Sequence, residues 1–567
     1  MLYPIFRIIL LPLKTLQFLY YWVFHIFVKG EVLLVEVPSK FSSVQKSTIL
    51  KIISGKDDEE FLIDFLTYLR LISKNPYIKK VFFMVKPIKY GLAEVDSICR
   101  EIENLNSSGK ETIAFTESGD LKTLYLLTYF QKKYTMDTGE FLSILPSSES
   151  FFFGKTAKKL GVEVESYASG AYKSFGEIFS KDKYSKPAKE NIENLVNSIK
   201  DIIVQRFLES TNLKEKDLQK PILSSQFLLE KNFFDGFLDE EDFEENYSLK
   251  DFPKNTDSKN SLKESSEFQV LFFKKKKDFE LFPKRKKSIL ILPLKGNIQE
   301  GDVDEEELKA DSIHAKPLIK ILRKIKNNKK IAGVILEMDT GGGSAFASEI
   351  IHKELEKLKK EKKLYCYFQN ISASGGYYIS TACEKIYSSK FCITGSIGTI
   401  VLRPNLKGLY DKLGITKDRI GFYENREIFS EYGKLSPSSK ELIQLEIQRI
   451  NSQFYKRVCD SRKITEKELE KLANGRVFSG KDFFHYKMVD SNSSIIDSIQ
   501  DMKNELNLKN VNILYEPASY SLKSFFKDTK FIGSKLQDLQ NLDIHFFEER
   551  LQKNLISQIA IQLQKNL

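Results

Sequence analysis

The residues best suited to chemistry are a serine followed by two glycines, Ser374-Gly375-Gly376, and an earlier glycine-rich turn, Asp339-Thr340-Gly341-Gly342-Gly343-Ser344. Ser374 lies where an apolar run over 364–368 gives way to a helix-compatible segment containing Tyr377, Ile379, Thr381 and Ala382. A serine at a strand-to-helix junction has its hydroxyl at the start of a helix. The free N–H groups there stabilise negative charge developing on a bound carbonyl. Two readings fit: a nucleophile, or a plain helix cap, the commoner use of serine in this setting. The turn at 341–343 could cradle a phosphate, but no Gly-Lys-Ser/Thr follows it and its spacing is not that of a dinucleotide loop. Exposed N–H groups in such a turn suit an oxyanion hole.

A nucleophilic serine needs a base. No histidine lies between Ser374 and His485, and His485 stands beside Phe483 and Phe484 as a core residue would. A Ser-His-Asp triad therefore has no good candidate, although chain order alone excludes none. The alternative is a lysine whose pKa is lowered by burial. The histidines (His25, His314, His352, His485, His545) and cysteines (Cys99, Cys366, Cys383, Cys392, Cys459) form no metal-ligand spacing and no Cys-x-x-Cys pair. The expectation is no metal, no cofactor, and buried free thiols.

The elements that must hold these residues alternate along the chain. A strand at Val32–Val37 is followed by a helix near 58–73, a strand over 81–85, a helix near 92–104 and a strand over 112–115. The order returns with strands over 289–294, 334–338 and 364–368, and helices near 316–326 and 345–360 between them. This alternation predicts an α/β fold of βαβ units with a largely parallel sheet in each half. The halves are an internal repeat. Glu177-Ile178-Phe179-Ser180 recurs as Glu427-Ile428-Phe429-Ser430, and Pro187 recurs at the same offset as Pro437. Each proline heads a long amphipathic helix: Ile192, Leu195, Val196, Ile199, Ile203 and Phe207 in the first copy, Ile443, Ile447, Ile450, Phe454 and Val458 in the second.

With 567 residues the chain exceeds a single core. Its boundaries read as a membrane anchor over 1–30, a first repeat over 31–250, a polar lysine-rich linker over 251–287 with one candidate strand over 268–273, a second repeat over 288–505, and a tail over 506–567. Within the first segment, 8–28 can span a bilayer if Lys14 snorkels to the interface; the other reading is an amphipathic helix lying on the surface. No small-residue cleavage site appears near Gly30, and Arg7 and Lys14 precede the apolar run, which favours a cytoplasmic N-terminus. The net charge of +11 comes from lysines spread along the chain. It fits contact with anionic membrane lipid and gives no sign of nucleic-acid binding. The tail's amphipathic stretch over 539–567 could dock on the body or join copies.

Several motifs together resemble the signal peptide peptidase A (protease IV) family in its long, two-repeat form, over roughly 31–505. They are Thr-Gly-Gly-Gly-Ser (340–344) with Ala347-Ser348-Glu349, Ala-Ser-Gly-Gly-Tyr (373–377), Thr-Gly-Ser-Ile-Gly (394–398), Gly-Arg-Val-Phe-Ser-Gly (475–480) and, in the first repeat, Tyr172-Lys173-Ser174. The resemblance implies two tandem crotonase-like (Clp protease-like) repeats. It implies a serine–lysine dyad with Ser374 as nucleophile, Lys173 as base and Ser396 hydrogen-bonded to the lysine; Gly343 and Gly375 are our own choice of oxyanion donors, because the turn departs from the family's pattern. It also implies an extracytoplasmic body, remnant signal peptides and other unfolded apolar peptides as substrates, and a homotetramer. The neighbours Tyr172 and Phe175 offer Lys173 a desolvating setting, whereas most lysines of so lysine-rich a chain are solvated. The family's Asn-Ser-Pro-Gly-Gly turn reads Asp-Thr-Gly-Gly-Gly here, and without its proline the turn is expected to be looser. At the repeat offset Lys173 falls on Tyr423. Aligning Tyr134 with Tyr387 sets Ser374 against Leu121, and the glycine turn against Ile88, Lys89 and Tyr90. Each repeat thus keeps one part of a single site. The competing readings are a non-catalytic, membrane-bound peptide scaffold and an acyl-CoA enzyme on the same fold.

Overall fold

A computed structural model describes residues 31–41, 61–239, 242–243, 270, 287–301, 312–418, 420, 425–509 and 511–515. In the first half, strands Val32–Val37, Lys80–Val85, Glu111–Thr116, Lys132–Thr135 and Gly236–Phe237 form one parallel sheet in that order. In the second half the same order recurs with Ser288–Lys295, Ile331–Thr340, Lys363–Ala373, Lys385–Ser388 and Ser491–Asn492, again parallel. Helices Leu62–Ser73, Leu92–Ser107, Ala315–Asn327 and Ala345–Lys359 are the crossovers. The central strand of the second sheet is buried on both faces, from Leu364 to Phe368, which is why its sequence is a continuous apolar run.

The repeat extends to the branches. In the second half the end of Lys363–Ala373 pairs in parallel with Ile393–Gly395, which pairs antiparallel with Val477–Ser479. In the first half Gly119–Asp120, Glu140–Leu142 and Ile222–Ser224 repeat that pattern. The recurring tetrapeptide also has a structural reason. Glu177 accepts the N–H of Ser185, the N-cap of helix Lys186–Ser210, and Glu427 accepts that of Ser436, the N-cap of helix Pro437–Arg462. In each half one carboxylate anchors the start of the long helix.

One apolar cluster joins the halves: Val95, Ile98, Cys99 and Ile102 of the first half share it with Ile335, Tyr365, Tyr367 and Ile499 of the second. The halves are also sewn together by an antiparallel ribbon in which Glu163–Ala168 pairs with Ile400–Asn405 along its full length. Arg403, 5% exposed, donates to Glu165 across this ribbon at 2.7 Å. Within the stretch read as the tail, Asn512–Tyr515 forms an edge strand beside Ser288–Lys295. The segment 1–30 read as an anchor, the linker apart from residues 270 and 287, and 516–567 lie outside the described residues. Among the described residues no helix is long and apolar enough to cross a membrane. The five cysteines are free, four of them buried.

Candidate active site

Three stretches remote in sequence meet beyond the end of the second sheet. Ser374 follows the central strand directly and stands at the N-cap of helix Gly375–Ser380, with φ 53° and ψ −117°. Its side chain makes no capping hydrogen bond, so the plain cap reading does not describe it. Its N–H donates to the Gly395 carbonyl at 2.9 Å, which helps hold a backbone conformation that a residue with a Cβ rarely adopts. Ser396, on the neighbouring strand's exit, also has φ 53°, and its N–H donates to the Arg476 carbonyl at 2.6 Å.

Lys173 arrives from the first half. Ala168 of the ribbon pairs with Ile400, and just beyond it Ser169 N–H donates to the Thr399 carbonyl while Thr399 N–H donates to Ser169 Oγ. This register carries the lysine loop to the residues just after Ser396. The Lys173 Nζ lies 2.9 Å from Ser374 Oγ, 2.9 Å from Ser396 Oγ and 2.7 Å from the Ser396 carbonyl oxygen. Lys173 is 8% exposed, and burial alone brings its pKa down from the ordinary lysine value to about 7. Near neutrality a large fraction of the amine is unprotonated. The nitrogen is within hydrogen-bond reach of all three oxygens, two on Ser396 and one on Ser374.

The glycine turn lies on the other side of the serine. Gly342 (φ 103°) and Gly343 (φ 152°) hold positive dihedrals. A Cβ on Gly342 would stand 2.6 Å from the Gly375 nitrogen and 2.8 Å from Ser374 Cβ, and one on Gly375 would stand 3.3 Å from the Gly343 nitrogen. The Gly343 and Gly375 N–H groups therefore lie close together beside Ser374. Neither donates to a backbone carbonyl among the described residues. The turn is not loosened by its missing proline. Thr340 Oγ1 accepts the Gly342 N–H at 3.1 Å, the Gly342 carbonyl accepts Ile298 N–H at 2.9 Å, and Ser344 N–H donates to the Ile298 carbonyl at 2.9 Å. An adjoining strand does the work expected of the ring.

Among the described residues no histidine is hydrogen-bonded to Ser374, whose side chain meets Lys173. His352, 2% exposed, packs against Tyr378 and is brought down by burial to a pKa of about 4. Among the described residues no group of histidine, cysteine and carboxylate side chains could hold a metal. Tyr423, the sequence counterpart of Lys173, lies outside the described residues.

The comparisons follow the same division. Peptidase family S49 matches residues 146–246, which hold Lys173, and 356–509, which hold Ser374 and Ser396. Protease 4 of Haemophilus influenzae is 27% identical over 431 residues, 73% of this chain and 68% of that protein. The chloroplastic serine protease SPPA of Arabidopsis thaliana is 26% identical over 451 residues, 76% of this chain and 64% of that protein. Over these regions the chain is similar to SppA-type proteases of family S49. Among solved structures, a ClpP1 mutant from Listeria monocytogenes aligns over 35% of the chain and 89% of its own length, at 13% identity and a TM-score of 0.24.

Sequence reasoning passed over two residues that touch the lysine loop. Gly475 (φ 84°) packs so closely on Lys173 that a Cβ there would overlap the Lys173 backbone. Arg476 lies against Tyr172. Both belong to a motif already noted for its resemblance, but nothing in its spacing says that it meets a loop from the other half.

Proposed function

We propose that this protein is a serine endopeptidase in which Ser374 is the nucleophile and Lys173 the general base. The observation that carries the reading is a buried, largely desolvated amine 2.9 Å from a serine hydroxyl held at a strained strand-to-helix junction. Lys173 takes the Ser374 proton as Oγ bonds to the peptide carbonyl carbon. The Gly343 and Gly375 N–H groups receive the resulting oxyanion. Lys173 then gives its proton to the leaving amine as the C–N bond breaks. In deacylation it takes a proton from water, hydroxide adds to the ester carbon, and the proton returns to Ser374 as the C–O bond breaks. Ser396 orients the amine through its carbonyl and hydroxyl oxygens.

On the same reading, which rests on the resemblance and on the relatives' names, the substrates are remnant signal peptides and other unfolded apolar peptides. Residues 1–30 hold the enzyme at a membrane with its body on the extracytoplasmic side, and copies assemble as a homotetramer of tandem crotonase-like repeats. The test of the chemistry is a fluorophosphonate probe followed by mass spectrometry of the digested protein. An adduct on the Ser374 peptide is expected. A protein that stays unlabelled while binding apolar peptides would instead be a scaffold.

A further inference from the structure

Lysine is a long, flexible side chain, and its loop belongs to the half of the chain that does not carry the nucleophile. Something must fix that loop at the active site more tightly than the ribbon alone. The Arg476 guanidinium lies over the Tyr172 ring, 3.9 Å from its centroid, and donates to the Tyr172 hydroxyl at 2.6 Å. The same hydroxyl faces Glu190 of the long first-half helix at 3.3 Å. The backbone of Arg476 reaches the other side of the amine, because its carbonyl accepts the Ser396 N–H. One residue therefore touches both the neighbour of the base and the serine that orients it.

We propose that Arg476 and Tyr172 form a positioning clasp that aims the Lys173 amine at Ser374 and keeps water from it. The inference rests on the serine–lysine reading. Arginine suits this place because its planar guanidinium can stack on a ring and donate at the same time, which a lysine ammonium cannot do. The groups facing the lysine loop are Arg476 from the 475–480 segment, Glu190 from the long helix, and the hydroxyls of Ser374 and Ser396. Burial is the sole cause of the lowered lysine pKa, and no ionic partner contributes. Loosening the clasp admits water, so the amine becomes easier to protonate and its pKa rises toward the ordinary lysine value.

The test uses the full-length protein and a fluorogenic peptide, with kcat and KM measured from about pH 5 to pH 10. Arg476→Ala should lower kcat by about 10- to 100-fold with little change in KM, the scale of one lost charge-assisted hydrogen bond. Its ascending limb should move upward by roughly one pH unit. Arg476→Lys and Tyr172→Phe should move the limb in the same direction by less. The double variant Arg476→Ala with Tyr172→Phe should lose less than the product of the two single losses, since both changes break the Arg476–Tyr172 hydrogen bond. A limb that stays at the wild-type position in all three single variants, with rates unchanged or lowered equally at every pH, would overturn the clasp. If Arg476→Ala does not fold, the two milder variants decide. A wild-type profile with no ascending limb would refute the dyad itself, which separates that failure from failure of the clasp.

Discussion

The two halves begin the same short helix in opposite ways. In the first half, helix Leu121–Leu127 starts from Asp120, which has an ordinary extended backbone (φ −110°) and a carboxylate that accepts the N–H groups of Lys122 and Thr123. In the second half, helix Gly375–Ser380 starts from Ser374, with φ 53° and no side-chain cap. The helix starts therefore match Ser374 to Asp120, one residue before the Leu121 that the sequence offset set against it. Both follow matching branches of matching sheets. Where the second half has open glycine N–H groups, the first has Ile88 and Tyr90, both buried, whose carbonyls accept the Lys122 amine at 3.1 and 3.0 Å. One copy has the arrangement that stabilises a helix start. The other leaves its donors unfilled and its serine strained, which suits a site that must receive a substrate.

This contrast can be broken most severely in the second copy. Ser374→Ala should reduce peptide hydrolysis by about 10⁴-fold or more while leaving the circular dichroism spectrum unchanged. Lys173→Arg should be as inactive, because a guanidinium stays protonated throughout the working range. In the wild type, kcat/KM should rise with pH through about 7, since the amine must lose its proton to act and does so as pH climbs past its pKa. A flat profile from acid to neutral would show that this amine is not the base.

Smaller effects sharpen the picture. Gly475→Ala should displace the lysine backbone and cost about 100-fold in kcat/KM, the scale of an ångström-sized misplacement. Ser396→Ala should cost about 10- to 100-fold, since it removes one of two oxygens holding the amine and leaves the carbonyl in place. The smallest effects separate stability from activity. Asp120→Ala should lower unfolding free energy by about 1 kcal/mol with peptidase activity intact. Ser374→Gly should raise it by about 1 kcal/mol while abolishing activity, because glycine relieves the positive φ. Denaturant titration of both variants checks the pair; a stabilised Asp120→Ala would contradict the capping role.

The alternation of strands and helices was legible because central strands of both parallel sheets are buried, unbroken apolar runs, such as 81–85 and 364–368. The position of Ser374 at a strand-to-helix junction was legible from the apolar run before it and the two glycines after it, but the sequence alone did not separate a nucleophile from a helix cap. The lysine was not legible from its own surroundings. Phe175, one of the neighbours expected to desolvate it, is 64% exposed, and the burial comes instead from Gly475 and the 394–398 segment of the other half. The ribbon escaped for a similar reason. Glu163–Ala168 and Ile400–Asn405 are short, half-polar and interrupted by Pro404, and each becomes a strand only by pairing with the other. The same long-range pairing explains why Arg476 read as part of a motif and not as a contact of Tyr172.

On the serine–lysine reading, the separation of base and nucleophile also governs when the protein can first act. Lys173 is made early, and the serines it meets lie 201 and 223 residues further along the chain. At ordinary rates of synthesis roughly 10 to 45 seconds pass between them. During that interval the growing polypeptide contains Lys173 without the serine hydroxyls that it meets in the folded protein. On that reading, cutting power is withheld until the late half has been translated and folded against the early one, so the order of the gene itself delays activity.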